Sequence, residues 1–384
     1  MNTNGQSPRP ACFEHVADEQ WNDWRWQLKN RLSRPEDLEG LVELDEQTRE
    51  EIRAASEQFL MGITPYYASL MQEGDLTDPI YLQAVPQGIE LARADDELED
   101  PLAEDTYMPT EGLTHRYPDR ALLYTSHNCP VYCRHCNRRR KVGDPASALG
   151  RAALDKAVDY VRQTPAIRDL LVSGGDPLSL SDKKLDILLT ELRGIKHLEI
   201  IRLATRNPVT LPQRITPELI EVLKKHHPIY ISTHFNHLRE CTPETELALN
   251  RLADGGCVIS NQMVLLKGVN DDPAMVKEMN RWLLARRCRP YYIFQCDSVE
   301  GVSHFKTPVR SGLKIIEELR GWTSGLAVPH YVVDLPEGGG KVPLLPEYLV
   351  SQNGQTLTFK NYAGEVYRYV EGDEPKASIK LVNS

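Results

Sequence analysis

From Ala121 onward, short β-branched or aromatic runs alternate with longer amphipathic segments, and this alternation most narrows the folds open to the chain. Strands separated by whole helices cannot pair through tight turns; the crossovers make them parallel and put the helices on the face of the sheet. Strands are expected at 121–126, 169–173, 198–204, 229–234, 258–265, 290–295 and 331–334. Helices are expected near 150–163, 182–193, 216–226, 242–254, 273–286 and 310–321. Six strand–helix units and one further strand fit a partial (β/α) barrel of about six parallel strands better than a doubly wound sheet. The polar, Gly-rich and Cys-rich residues all follow strand ends, and in barrels that rim carries the chemistry.

Ahead of this region, residues 19–32 read as an amphipathic helix with three tryptophans, 45–59 as a charged helix, and 91–104 as a strongly acidic stretch. The expected organisation is an N-terminal helical extension (1–110), the barrel (111–341) and a small β-rich tail (342–384) in which 356–360 and 365–370 alternate. With 384 residues, 41% of them hydrophobic, the chain can bury a large core, which excludes disorder as its dominant state. Forty-five basic against fifty-five acidic side chains give a net charge of −10, which disfavours nucleic acid and anionic lipid as partners. No apolar run approaches the ~20 residues that span a bilayer, and the opening MNTNGQSPRP lacks the order of a signal peptide. A cytoplasmic protein without membrane contact is expected.

Eight cysteines in such a chain point to a metal or catalysis rather than to a disulfide framework. Cys12, Cys241, Cys257, Cys288 and Cys296 are scattered and read as small buried hydrophobes. Cys129, Cys133 and Cys136 cluster directly after the first strand. Three thiolates at this spacing leave a four-iron cluster with one iron lacking a protein ligand, and an open iron is a reaction site. The alternatives are a zinc site with a remote fourth ligand, or a redox pair at Cys133 and Cys136. Zinc loops usually carry a second paired ligand set, and no other cysteine here is paired. Two further features follow strand ends: Gly174, Gly175 and Asp176 after the second, and three consecutive glycines ending in Lys341 after the last. A lysine closing such a loop can present its amine to an aldehyde cofactor; the alternative is a mobile surface loop with a solvated lysine.

The cysteine loop resembles that of the radical S-adenosylmethionine superfamily. Residues 115–120, 136–140, 233–237, 295–297, 304–308 and the glycine-rich lysine loop together resemble lysine 2,3-aminomutase, in that family's order, from roughly residue 20 to residue 370. The resemblance implies a [4Fe–4S] cluster on Cys129, Cys133 and Cys136 whose open iron chelates S-adenosylmethionine, the source of a 5′-deoxyadenosyl radical. It implies that Gly174, Gly175 and Asp176 hold the methionyl amino group, and that His234 and Gln262 line the adenosyl pocket. Lys341 would carry pyridoxal 5′-phosphate, Arg116 would bind its phosphate, and Arg138 would pair with the substrate α-carboxylate. Asp297 and Asp334 would hold the distal cation of the substrate. The implied activity moves an α-amino group to C3, with L-lysine to L-β-lysine first and an arginine 2,3-aminomutase second. The implied partners are the amino acid and a reducing electron donor such as flavodoxin or ferredoxin; homo-oligomer formation is left open. From another class, the chain could be an iron–sulfur electron carrier or sensor that has lost chemistry, against which Lys341, Arg138 and both glycine motifs count.

Singly, each residue has an ordinary reading. Arg138 lies in the basic run 138–141, which could be a solvated face. His234 and His237 could be hydrogen-bonded loop residues, and Asp297 and Asp334 could cap the segments after them. Two departures from the family stand out. Asp272 occupies the place of a cysteine zinc ligand and the last cysteine is Cys296, so no structural zinc is expected. Glu337 replaces a glycine of the lysine loop.

Overall fold

The computed structural model describes residues 7–144 and 148–372. The N-terminal segment contributes α1 (Asp18–Trp21), α2 (Trp24–Lys29), α3 (Glu46–Gln58), α4 (Pro65–Ala68) and α5 (Pro79–Ala84). The helix expected over 19–32 is two short ones, because the Asp23 carboxylate accepts from the Arg25 amide and starts a new helix after a break at Asn22.

The barrel region then runs β1 (Leu113–Tyr117), β2 (Arg120–Ser126), α6 (Arg151–Gln163), β3 (Asp169–Gly174), α7 (Asp182–Arg193), β4 (Ile200–Ala204), α8 (Asn207–Thr210), α9 (Pro217–Lys224) and β5 (Ile229–Thr233). It continues with α10 (Pro243–Asp254), β6 (Val258–Leu265), α11 (Pro273–Ala285), β7 (Cys288–Gln295), α12 (Val309–Leu319), β8 (His330–Leu335) and β9 (Gly340–Leu344). The starts of α9, α10 and α11 share one device: a Thr or Asp cap (Thr216, Thr242, Asp272) followed by a proline whose missing N–H costs nothing in the first turn. Asp272, read against the family as a lost zinc ligand, is thus committed to the amides of Ala274 and Met275.

Strands β1 to β9 form one sheet in sequential order. Pairing is parallel from β2 through β8, and antiparallel at β1–β2 and β8–β9. Seven strands are parallel, the last joined through His330, Tyr331 and Val332 of β8, which pair with β7. Sequential order with right-handed crossovers keeps every helix on one face and curls the sheet, which makes it a partial barrel. Pro290 sits inside β7, opposite a register shift at Asn261/Gln262 in β6 that absorbs its missing donor. The two antiparallel strands at the edges escaped the sequence reading. They approach each other where the Lys341 amide donates to the Tyr117 hydroxyl at 3.2 Å.

The core is continuous from the helix-covered face of the sheet (Leu123, Val172, Leu203, Ile231, Met263) to the N-terminal helices, through Trp21, Ile52, Ile63, Tyr66, Tyr67 and Ile80. The tail forms a separate three-stranded meander, β10 (Leu349–Asn353), β11 (Thr356–Lys360) and β12 (Val366–Val370), much of it exposed. Among the described residues, no helix is long and apolar enough to cross a membrane.

Candidate active site

Each parallel strand delivers polar side chains to the same rim. The cysteine loop leaves the end of β2, and the end of β3 lies against its start. A Cβ on Gly174 would stand 2.7 Å from the Ser126 carbonyl oxygen, and one on Gly175 2.6 Å from that of Asn128. Gly174 also has φ +111°, so backbone must touch backbone here and only glycine permits it. The Asp176 amide donates to Asn128 O at 2.8 Å. The Asp176 carboxylate, buried, accepts from Leu178 N, Thr205 Oγ1 and Arg206 N at 2.9, 2.7 and 2.7 Å. Read in the sequence as a cofactor contact, this carboxylate joins the ends of β3 and β4 within the protein.

Cys129, Cys133 and Cys136 are half-buried free thiols. Burial pushes the Cys129 and Cys136 thiols above their usual value, and the neighbouring cysteines push them further. Thiolates gathered on one short loop repel one another and need a shared positive centre. Among the described residues no three His, Cys, Asp or Glu side chains are placed to hold a single metal ion. A cubane places each thiolate on a different iron, so the donor set fits a cluster better than a mononuclear metal.

The basic run is no solvated face. Arg138 Nε and Nη2 both grip the Glu104 carboxylate, at 2.9 and 2.7 Å. Arg139 pairs with buried Glu90, and Arg140 and Lys141 share Asp105. The acidic stretch of the N-terminal segment is the counter-charge of this run. Although burial alone would raise it, Arg138 holds the Glu104 carboxyl below its usual range.

On the far side of the rim, Lys341 lies on β9 rather than in a loop. Its Nζ is 2.6 Å from Asp334 Oδ2, and Arg116 Nη2 is 3.5 Å from Asp334 Oδ1. Arg116 also donates to the Tyr117 hydroxyl at 2.9 Å. Oδ1 of Asp334 is buried without a hydrogen bond. Amine and guanidinium thus aim at one place, the pairing that an aldehyde bearing a phosphate requires. Glu337 is exposed, with φ 55°, a conformation natural to the glycine it replaces. Asp297, at the end of β7, accepts from Asn137 Nδ2 at 2.8 Å. Burial pushes its carboxyl up to about 6, with Asp334 adding to the effect. Asn137 adjoins Cys136, so the cysteine loop itself steadies this aspartate.

His234, just beyond β5, meets the backbone of Gln262 midway along β6; burial holds His234 down at about 4, with Arg206 and Arg138 contributing, so the ring is neutral near pH 7. His237 makes no metal pair with it: its Nδ1 accepts from the Arg239 amide. A cavity of about 160 Å³ opens beside Gly174 and Gly175, walled by Tyr124, Ser126, His127 and Lys141. The sequence reading missed Glu104, Asn137, Arg206 and Glu240. Arg206 alone carried a signal, because it follows a strand end as the other site residues do.

Comparison with known proteins gives this arrangement its context. A family model described as Lysine-2,3-aminomutase matches residues 316–380, and one described as Radical SAM superfamily matches 123–279. The chain is 50% identical to an L-lysine 2,3-aminomutase of Fusobacterium nucleatum subsp. nucleatum over 96% of its own length and 87% of the relative's. It is 49% identical to the L-lysine 2,3-aminomutase of Clostridium subterminale over 94% of its length and 87% of the relative's. It is 44% identical to a glutamate 2,3-aminomutase of Clostridioides difficile over 95% of its length and 86% of the relative's. Likeness over nearly the whole chain, with the Radical SAM match spanning the cysteine loop, makes this chain a member of the lysine 2,3-aminomutase family within the radical SAM superfamily.

Proposed function

We propose that the protein is a radical S-adenosylmethionine, pyridoxal phosphate-dependent 2,3-aminomutase that converts L-lysine to L-β-lysine. The observation that carries the substrate assignment is the pair Asp297 and Asp334 at the ends of adjacent strands β7 and β8, with the pyridoxal-type lysine paired to Asp334. Two carboxylates on one site repel unless a cation lies between them, which suits a substrate with a positive distal end. Identity alone does not choose, since relatives named for lysine and for glutamate lie within a few per cent of each other.

When bound, the cluster with S-adenosylmethionine supplies a hydrogen-abstracting radical, and pyridoxal phosphate supplies the π bond across which nitrogen migrates. The chain's own residues bind and orient. Cys129, Cys133 and Cys136 would hold the cluster, Gly174 and Gly175, packed on the root of the cysteine loop, would offer backbone carbonyls to the methionyl amino group, and neutral His234 beside Gln262 offers hydrogen bonds without charge. Lys341 would take the aldehyde and Arg116 the phosphate. Arg138 would receive the α-carboxylate at its Nη1–Nη2 edge, the Nε–Nη2 edge being held by Glu104. An open iron and eight free cysteines call for a reducing compartment, which supports a cytoplasmic location and a low-potential electron donor of the flavodoxin or ferredoxin type.

The test is an anaerobic assay of the reconstituted protein with L-lysine, L-arginine and L-glutamate, read by product retention and mass. Lysine yielding β-lysine with glutamate inert supports the assignment. Turnover of arginine with none of lysine replaces the substrate and keeps the reaction.

A further inference from the structure

Arg206, two residues beyond β4, lies beneath the cysteine loop and is 8% exposed. Its Nη1 donates to Cys133 Sγ at 2.8 Å and its Nε to the His234 carbonyl at 3.1 Å. Nη2 donates to the Tyr67 hydroxyl, Gln83 Oε1 and Glu240 Oε1 at 3.1, 2.6 and 2.6 Å. Glu240 is fully buried and also accepts from the amides of Asn236 and His237 and from the Tyr67 hydroxyl. The cation therefore faces a loop sulfur and the anion stands behind it. A lysine could not replace this cation, because a single ammonium cannot span a sulfur, a carbonyl and a carboxylate in one rigid fork. Neither residue bonds Lys341, Asp334 or Asp297, so the reaction at the substrate gives it no task.

We propose that the Arg206–Glu240 pair sets the reduction potential of the iron–sulfur cluster by acting on it through the Cys133 sulfur. The inference rests on the reading that Cys129, Cys133 and Cys136 hold that cluster. Hydrogen bonds and charge at ligand sulfurs are among the levers that set cluster potentials. A cationic donor on the sulfur stabilises the more negative, reduced cluster and raises the potential. Glu240, one bond further away, offsets part of that rise. Arg206 is a positioning residue: it acts through Cys133. Tyr67 and Gln83 extend the same network into the N-terminal helices, which gives those helices a part in the electron-accepting site.

The experiment uses the full chain, loaded anaerobically with iron and sulfide and titrated with dithionite while the reduced cluster is followed by electron paramagnetic resonance. Glu240→Gln removes the anion and leaves the cation on the sulfur. The double variant Arg206→Gln/Glu240→Gln removes both charges, so that no lone ion stays buried. The expected order of midpoints is Glu240→Gln highest, wild type next and the double variant lowest. Each step should be tenfold or more in the reduction equilibrium, which for one electron is about 59 mV. Smaller steps, or a different order, in proteins with wild-type iron content overturn the proposal. If the double variant fails to load iron, Glu240→Gln decides alone. A wild-type chain that holds no cluster refutes the cluster reading itself, which iron analysis distinguishes from a failure of this inference.

Discussion

Asp334 and Lys341 are register partners across the antiparallel pair β8–β9, with the lysine Nζ 2.6 Å from the aspartate Oδ2. The turn from Pro336 to Gly339 creates this pairing, so the lysine is held on a strand beside its carboxylate. The residue expected to take the aldehyde and a residue expected to hold the substrate neutralise each other here, with Arg116 as a third charge.

Lys341→Ala should lose the pyridoxyl label trapped by borohydride while retaining about four irons per chain, the content of one cubane. Label remaining on another lysine contradicts the assignment. Arg116→Ala should weaken pyridoxal phosphate retention and leave the iron unchanged, since its ion-pair partner Asp334 lies on the lysine side of the rim.

Asp297→Asn and Asp334→Asn should each lower kcat/KM for lysine by about ten- to hundredfold, the loss of one charge-assisted contact worth about 1.5–3 kcal/mol. Unchanged steady-state kinetics in both variants would remove the basis for a cationic substrate.

The ionised form of Asp297 attracts a cation, and burial holds its carboxyl up at about 6. Because kcat/KM reports the free enzyme, it should fall as pH drops below about 6, and Asp297→Asn should flatten that limb. For folding the sign reverses. A carboxyl raised above its unfolded value of about 3.9 favours the folded state below both values and loses that contribution as pH climbs through the folded one. Thermal melts should therefore show Asp297→Asn gaining more relative to wild type at pH 7 than at pH 4.

Most of the barrel was legible because its strands and helices carry their own periodicity and caps. All seven parallel strands lie within a few residues of the expected segments, and the helices expected near 216–226, 242–254 and 273–286 start at the caps Thr216, Thr242 and Asp272. The edge strands β1 and β9 were not legible: residues 113–117 are five residues beside a turn, and 340–344 begin with glycine and contain a proline, so neither has a pattern without its partner. Candidate site residues that follow strand ends were legible for the same reason that the strands were. Glu104 and Glu240 were missed because their place depends on tertiary contacts with Arg138 and Arg206, which no local pattern encodes.

Gly175→Ala should abolish cluster assembly. The new methyl would stand 2.6 Å from the Asn128 carbonyl and 2.7 Å from its amide, both backbone, at the root of the cysteine loop. Overpacking of this kind costs about 1–3 kcal/mol or more. Iron analysis checks it; wild-type iron content would show that the β3 end and the loop can separate freely.

The central claim is that nitrogen migrates by hydrogen transfer through the adenosyl group and not by proton exchange with solvent. Turnover of unlabelled L-lysine in deuterium oxide by the anaerobically reconstituted protein, with the product read by mass and NMR, tests it most directly. The account expects β-lysine with nitrogen on C3 and no carbon-bound deuterium. Deuterium at C2, or no β-lysine from protein that carries both iron and the pyridoxyl group, would contradict it.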